Sequence, residues 1–309
     1  MKLFNFLFFI VQISILTYFD DKIDHTVYLP LNLDSIPTLE NPSSYCFFNT
    51  LIQALNNIHI IKKYFRRKFR NEALNELKNI FNQLNISKCH NLLDSYNRIL
   101  KKILPDVLND VKYKNKGYDT EMLYKYIVLE GMYYNDFRDI FYIKVDNKEH
   151  IPFLELDTKY TLQDFNVDYN DTKNYKDINI QELNKHPKEY IFNEEDIILQ
   201  YYDIYNYYNK TLITTNNYIL PKVLYIEVIP LRIHEYLLPI KVIIKHYIFN
   251  KYKIRAIIAW VNITKNRGHV VSYVIKNNKW YIMNDKKVTL VNTLDSVITP
   301  TGLIYEKIE

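Results

Sequence analysis

From Phe47 onward, apolar residues fall at Phe47, Phe48, Leu51, Ile52, Leu55, Ile58 and Ile61, with polar Asn49, Thr50, Gln53, Asn56 and Asn57 between them. Steps of three and four residues predict a helix. Pro42, Ser43 and Ser44, just before it, read as a turn and a helix N-cap, which puts Cys46 in the first turn. Helical spacing recurs over 71–130, at Leu74, Leu77, Ile80, Phe81 and Leu84, then at Leu92, Leu93, Tyr96, Ile99 and Leu100. Pro105 breaks this pattern, and helix is expected again from Asp119 to Leu129. From about residue 138 the character changes, and 139–146 and 152–157 read as strands. Residues 157–215 are polar and rich in Tyr and Asn, which predicts helix plus long loops. Five further strands are expected over 220–230, 237–247, 252–262, 270–275 and 280–283. No internal repeat is evident. Helices first and strands second give an α+β class.

Length and composition narrow this picture only in places. A chain of 309 residues, 48% hydrophobic and 24% charged, has the makings of one large core or two small ones. Its 29 Tyr and 4 Gly reflect a bias that runs along the whole chain. A net charge of +5, from 40 basic and 35 acidic residues, makes no case for nucleic acid as a partner. The run Lys62, Lys63, Arg66, Arg67, Lys68 and Arg70 reads first as a solvated helix face, and second as a patch for an acidic partner or membrane surface. Residues 2–19, a short basic start and an apolar run, resemble a secretory signal and are short for a transmembrane span. Secretion or membrane anchoring through this segment is expected, with a cytoplasmic protein as the alternative. Sequons at Asn85, Asn170, Asn209 and Asn262 agree with secretion but arise easily in an Asn-rich chain.

Cysteine usage changes the picture more. Cys46 and Cys89 provide neither a disulfide framework nor a four-cysteine zinc site, so no metal and no cofactor are expected. Cys89 stands beside His90 without further partners and reads as structural. A thiol at a helix start feels the positive end of the helix dipole and free backbone N–H groups, which favour the thiolate. The bland reading of Cys46 is a core residue beside two phenylalanines. Against it stands a second cluster more than two hundred residues downstream. His269 opens the strand Val270-Val-Ser-Tyr-Val-Ile, a hairpin follows at Asn277-Asn278, and Trp280 to Met283 leads to Asn284-Asp285. The outer ends of an antiparallel pair lie side by side, so Asp285 is expected near His269. A thiol, an imidazole and a carboxylate form an activated-nucleophile set.

These two clusters resemble the two boxes of the ubiquitin-specific proteases, the papain-like deubiquitinating enzymes. The first family box, Asn-x-Gly-x-Thr-Cys-Tyr-x-Asn-Ser-x-x-Gln-x-Leu, is met by Asn41, Cys46, Phe47, Asn49, Thr50, Gln53 and Leu55. The second is met by Tyr252-Lys-Ile-Arg-Ala-Ile, by Gly268-His269 with Tyr273, and by Trp280-Tyr281 with Asn284-Asp285 and Val288. Weaker matches lie between, in family order: Tyr118-Asp119-Thr-Glu121-Met-Leu, Phe153-Leu-Glu-Leu-Asp with Thr161-Leu-Gln-Asp, and Leu220-Pro-Lys-Val-Leu. The departures are Pro42, Ser43 and Tyr45 before the nucleophile, Val270 after the histidine, and one residue lost between Asp119 and Glu121. The family's zinc-ribbon cysteines are absent.

The resemblance implies a papain-like fold over about 35–295, with a helical thumb to about 137 and a mainly antiparallel β palm from about 138. It implies reduced fingers without zinc, and leaves 1–19 as a signal-like or anchor segment and 296–309 as a C-terminal tail. It further implies a hydrolase acting after the C-terminal glycine of ubiquitin, with ubiquitin or ubiquitinated proteins as partners. Cys46 would be the nucleophile and His269 the general base and acid. Asp285 would orient His269, with Asn284 as the alternative orienter. Asn41 would bind the oxyanion, and Asp119 and Glu121 the basic ubiquitin tail. The rival readings are a ubiquitin-binding pseudoenzyme and a papain-like protease acting on a ubiquitin-like modifier.

Overall fold

The computed structural model describes residues 36–86, 88–114, 118–145, 148–150, 153–165, 183, 185–202, 210–212, 218–229, 231–233, 236–264 and 267–308. The apolar run 2–19 and the sequons at Asn170 and Asn209 lie outside them. Among the described residues no helix is long and apolar enough to cross a membrane.

The first half is helical. Helix α1 (Cys46–Leu55) is buried on every side, including polar Asn49, Thr50 and Gln53. A helix surrounded in this way is a core element rather than a surface one. It ends before the apolar spacing does: Asn56 and Asn57 turn the chain, and Asn57 Nδ2 donates to the Arg255 carbonyl over 3.0 Å. The spacing resumes in a separate helix, α2 (His59–Tyr64). The residue at the N-cap of α1 is Tyr45, with no side-chain cap, in place of the expected Ser43 or Ser44. Helix α3 (Glu72–Gln83) starts under an Asn71 cap that accepts from Leu74 N, and buries Leu74, Leu77, Ile80 and Phe81. Helix α4 (Leu93–Ile103) buries Tyr96, Ile99, Leu100 and Ile103. Pro105 opens a helix of its own, α5 (Pro105–Lys114). Proline suits this first position because its missing N–H would have no intrahelical acceptor there. Asp119 caps α6 (Thr120–Glu130), and α7 (Asn135–Phe141) completes the layer, taking residues 139–141 that were expected in a strand.

The second half builds a 10-stranded sheet. Its strands are β1 (Phe153–Leu156), β2 (Ile197–Tyr202), β3 (Lys210–Leu212), β4 (Val223–Val228), β5 (Tyr247–Ile248), β6 (Tyr252–Thr264), β7 (Arg267–Lys276), β8 (Lys279–Asn284), β9 (Lys287–Val291) and β10 (Pro300–Lys307). They run in the order β9-β8-β7-β6-β10-β4-β1-β2-β3, with β5 on β6. All neighbours are antiparallel except β1 and β4. Both faces of the central strands are covered. On one face Tyr225 of β4 stacks on Tyr124 of α6, ring centroids 4.4 Å apart, and α1 packs on β7 and β6. On the other, Leu224, Ile226 and Val228 join Phe192, Leu238, Ile240, Val242 and Val297 in a second core. A small sheet of Lys188–Ile191, Ile240–Ile243 and Ser296–Ile298 supplies part of that core.

Three expectations are corrected. The described part of 157–215, expected to be helix plus long loops, holds mainly strands and short 3-10 turns, with helix at Leu183 and Lys185. The run 237–247 is three strands: Pro239, which has no N–H for a ladder, separates Tyr236–Leu237 from Ile240–Ile243, and β5 follows as a further strand. Most of the segment 296–309 is no tail. Its strand β10 lies between β6 and β4, with Leu303, Ile304 and Tyr305 wholly buried, because consecutive apolar residues fill both faces of a two-sided sheet.

Candidate active site

Helix α1 is docked by polar bonds from its first three turns to the ends of β7 and β8. Thr50 Oγ1 donates to the Val270 carbonyl (2.9 Å) and Gln53 Nε2 to the Asp285 carbonyl (3.3 Å). The segment before α1 is held too: Leu39 N donates to the same Asp285 carbonyl over 3.2 Å. These bonds set Cys46, at the first position of α1 and only 7% exposed, against the start of β7. Gly268 has a steric reason at this place. A Cβ on it would lie 1.5 Å from the Trp260 ring, which crosses over it from β6.

His269 follows. It is hydrogen-bonded to Cys46, and its Nε2 lies 2.7 Å from Asn284 Oδ1. An amide oxygen only accepts, so Nε2 carries a proton and Nδ1 is left for the thiol. Cys46, His269 and Asn284 thus lie in one continuous chain.

Asp285, expected to orient His269 with Asn284 as the alternative, stands at ion-pair rather than hydrogen-bonding distance. Its Oδ2 is 3.8 Å from His269 Nε2, beyond hydrogen-bonding distance. The reason is local. Strand β8 ends at Asn284, which pairs with Lys287 across a two-residue turn, and Asp285 takes φ 49° to make that turn. Its carboxylate instead receives Asn41 Nδ2 on Oδ2 (3.0 Å) and Asn49 Nδ2 on Oδ1 (2.7 Å). Asn41 Oδ1 in turn accepts from Tyr45 N over 3.0 Å. Both ends of the Asn41 amide are therefore fixed, and one Nδ2 hydrogen is spoken for by Asp285. The other is the one that a developing negative oxygen next to Cys46 would need.

The electrostatics follow from these contacts. The hydrogen bond with Cys46 is the largest influence on His269. It outweighs burial, which opposes the charged ring, and the Asn284 bond and the charges of Cys46 and Asp285 add to it. The imidazole is raised from 6.5 to about 9, so the ring is a cation at neutral pH. A protonated histidine hydrogen-bonded to a cysteine is the pair that papain-like chemistry starts from.

The two acidic positions expected to hold a basic tail part company. Asp119 is exposed at the start of α6, where its Oδ1 accepts from Glu121 N over 3.1 Å. The ring of neighbouring Tyr118 lies 6.0 Å from that of Phe47, so this corner adjoins the start of α1. Glu121 faces inward. It is buried and ion-paired with Lys125, which also stands 3.7 Å from Glu227. An internal cation answers its charge, which removes it from the set expected to receive a tail. Sequence reasoning missed both partners: Lys125, one turn after Glu121, is an i,i+4 pair that spacing reveals, whereas Glu227 carried no signal. Cys89 is exposed in the short strand Cys89–His90. Within the basic run, Arg67 is structural: it pairs with Asp136 and lies 4.1 Å over the Tyr64 ring. Among the described residues no group of His, Cys, Asp and Glu is set to hold a metal ion.

The sequence matches no family model and no curated protein. The fold does have counterparts. A yeast splicing factor superposes with a TM-score of 0.57 at 13% identity, over 89% of this chain and 70% of that one. The SAGA Ubp8 deubiquitinating module, bound to ubiquitin aldehyde, gives 0.54 at 14%, over 97% and 76%. The Pan2 pseudoubiquitin hydrolase–RNA exonuclease module of Saccharomyces cerevisiae, in complex with RNA, gives 0.54 at 14%, over 92% and 55%. The chain has the α+β, papain-like fold of such ubiquitin-protease modules, with a helical part and a multi-stranded sheet.

Proposed function

We propose that the chain is a cysteine hydrolase that cleaves the isopeptide or peptide bond after the C-terminal glycine of ubiquitin. The observation that carries the reading is the Cys46–His269–Asn284 chain, with Asn41 clamped beside it by Asp285. Cys46 Sγ, as thiolate, attacks the glycine carbonyl carbon. The Asn41 amide, with the Cys46 N–H at the helix start, stabilises the oxyanion. Losing one such donor typically costs about 2.7–4 kcal/mol of transition-state stabilisation. As the tetrahedral intermediate collapses, the imidazolium of His269 gives its Nδ1 proton to the departing amine and a thioester remains. Neutral Nδ1 then takes a proton from water, which adds to the thioester carbon. Collapse expels the thiolate beside the imidazolium that the water proton has restored, and frees the ubiquitin carboxyl group, which ionises by giving its proton to solvent. Asn284 holds the ring and its tautomer throughout. Asp119 is the acidic group left to meet a basic tail. Residues 2–19 are read as the segment that directs this unit to a membrane or out of the cell.

A second reading shares the mechanism. The neutralised Glu121 favours a ubiquitin-like modifier with a less basic tail. One experiment separates these readings from a pseudoenzyme. Ubiquitin carrying a C-terminal thiol-reactive warhead is expected to form a covalent adduct with wild type and none with Cys46→Ala. Reversible binding without an adduct would establish a pseudoenzyme. Absence of both would leave the ubiquitin-like modifier.

A further inference from the structure

Behind the Asn41 clamp lies a second tier that the reaction as written does not use. Tyr96, on α4, is buried, and its hydroxyl donates to Asn49 Oδ1 over 2.8 Å. Asn49, on α1, is wholly buried, and its Nδ2 serves both Asp285 Oδ1 (2.7 Å) and the Glu40 carbonyl (3.1 Å). We propose that Tyr96 is a positioning residue for the oxyanion donor, acting through Asn49 and the Asp285 carboxylate on the amide of Asn41. The proposal rests on the role given to Asn41 above.

The argument is one of satisfied and unsatisfied atoms. The bonds converge on the Asp285 carboxylate: Tyr96 donates to Asn49 and Asn49 to Oδ1 from one side, and Asn41 donates to Oδ2 from the other. The Tyr96–Asn49–Asp285 arm is aligned in series, so its bonds polarise one another, and in a buried site they are stronger than in water. The Asn49 amide has only one orientation that suits its neighbours, because the flipped form would set its oxygen against Asp285 and the Glu40 carbonyl. In the orientation it has, Oδ1 faces the protein interior and needs a donor, which Tyr96 provides. Without that donor Asn49 is free to tilt, Asp285 loses the fixed partner on Oδ1, and the carboxylate holding Asn41 is no longer pinned from behind. The charge of Asp285 also reaches Tyr96: after burial, it is the second influence holding the phenol in its protonated, donating form. The ring is placed independently of the hydroxyl. Phe48 stacks on it with centroids 3.9 Å apart, and Tyr45 at 5.9 Å. Tyr96→Phe therefore removes the donor and leaves the packing.

The test uses the full chain and a fluorogenic ubiquitin C-terminal amide. Tyr96→Phe is expected to lower kcat about tenfold, the effect of losing one hydrogen bond of ordinary worth, with KM unchanged. Alkylation of Cys46 by iodoacetamide, which needs no oxyanion donor, is expected to keep its rate and pH profile. In an Asp285→Ala background the same substitution is expected to cost nothing further, because residues of one chain are not additive. An unchanged kcat, or a full loss added to that of Asp285→Ala, overturns the proposal. If Tyr96→Phe fails to fold, Asn49→Ala removes the middle link and carries the same expectations. Should the wild type not cleave ubiquitin, the reading of function fails while the relay stays testable. The side-chain amide resonances of Asn41 and Asn49 in the free protein are expected to shift and lose protection in Tyr96→Phe, and unchanged resonances overturn the relay.

Discussion

Asn284 and Asp285 are neighbours with different jobs, and their alanine variants are expected to fail differently. Lifting an imidazole from 6.5 to about 9 corresponds to about 3 kcal/mol in favour of its cation. That preference comes first from the Cys46 hydrogen bond, is reduced by burial, and is raised again by the Asn284 bond. The charge of Asp285 is the last contribution. Asn284→Ala removes a bond that favours the imidazolium, so the pH at which the ring deprotonates falls from about 9 toward the ordinary value. The thiolate–imidazolium pair is lost as pH rises through that point. The alkaline limb of kcat/KM therefore moves to lower pH in Asn284→Ala, and kcat falls as well because the ring is no longer oriented. In Asp285→Ala the limb stays close to where it was. The height of the profile falls, by up to about 10²–10³ if the Asn41 donor is wholly misaimed. The assay is the pH profile of ubiquitin amide hydrolysis from pH 5 to 10, with an NMR titration of His269 as a check independent of turnover. The macroscopic values belong to the Cys46–His269 pair, so both variants are compared with wild type by the same probe. A limb that moves in Asp285→Ala and stays in Asn284→Ala would refute this division of labour.

Four further outcomes are expected. Cys46→Ala removes the largest influence on His269 while burial remains, so its imidazole pKa falls below that of wild type by NMR titration. Lys125→Ala leaves Glu121 and Glu227 without their shared buried cation and destabilises the fold by about 3–5 kcal/mol in chemical denaturation. Ubiquitin affinity is expected to fall in Asp119→Asn and to be retained in Glu121→Gln, measured by titration calorimetry, because only Asp119 presents its charge to solvent. Gly268→Ala drives a methyl into Trp260 and costs about 1–3 kcal/mol of stability, with a shift in tryptophan fluorescence and loss of turnover as His269 is displaced.

What the sequence disclosed, and what it did not, follows from the range of the interactions involved. Helical spacing located α1, α3, α4 and α6 because each buries a face that repeats every three or four residues. The same spacing overran α1, since the bond from Asn57 to the Arg255 carbonyl that helps turn the chain there lies 198 residues away in sequence. Strand β10 was missed for a related reason: its consecutive buried residues show no alternation, and only its central place in the sheet explains them. At the site, the hairpin argument brought Asp285 to His269, and Asn284 entered only as the alternative orienter that the family resemblance offers. The choice is made by one backbone angle at Asp285, to which composition and spacing are blind. The burial of Glu121 was likewise invisible, and so was Glu227, which arrives from the other half of the chain to share Lys125.

Where this chain departs from the boxes it resembles, it keeps the main-chain contacts that hold the site together. Tyr45 replaces a small residue before the nucleophile. Its ring packs between Phe47 and Tyr96, and its hydroxyl donates to Asn97 Oδ1 over 2.6 Å, so the bulk is absorbed on the core side of α1. What the site uses from Tyr45 is its backbone N–H, which still reaches Asn41. Val270 replaces an aromatic residue after His269. Its side chain is buried, and what the site uses is its carbonyl, which anchors Thr50. In both places the substituted side chain repacks the interior while the main-chain atom that fixes the geometry is kept. Ser43 and Pro42 stand before the helix, where Asn41 rather than either of them bonds the N–H of Tyr45. The polar atoms that define the site, on Asn41, Cys46, Asn49, His269, Asn284 and Asp285, all have partners in one connected network.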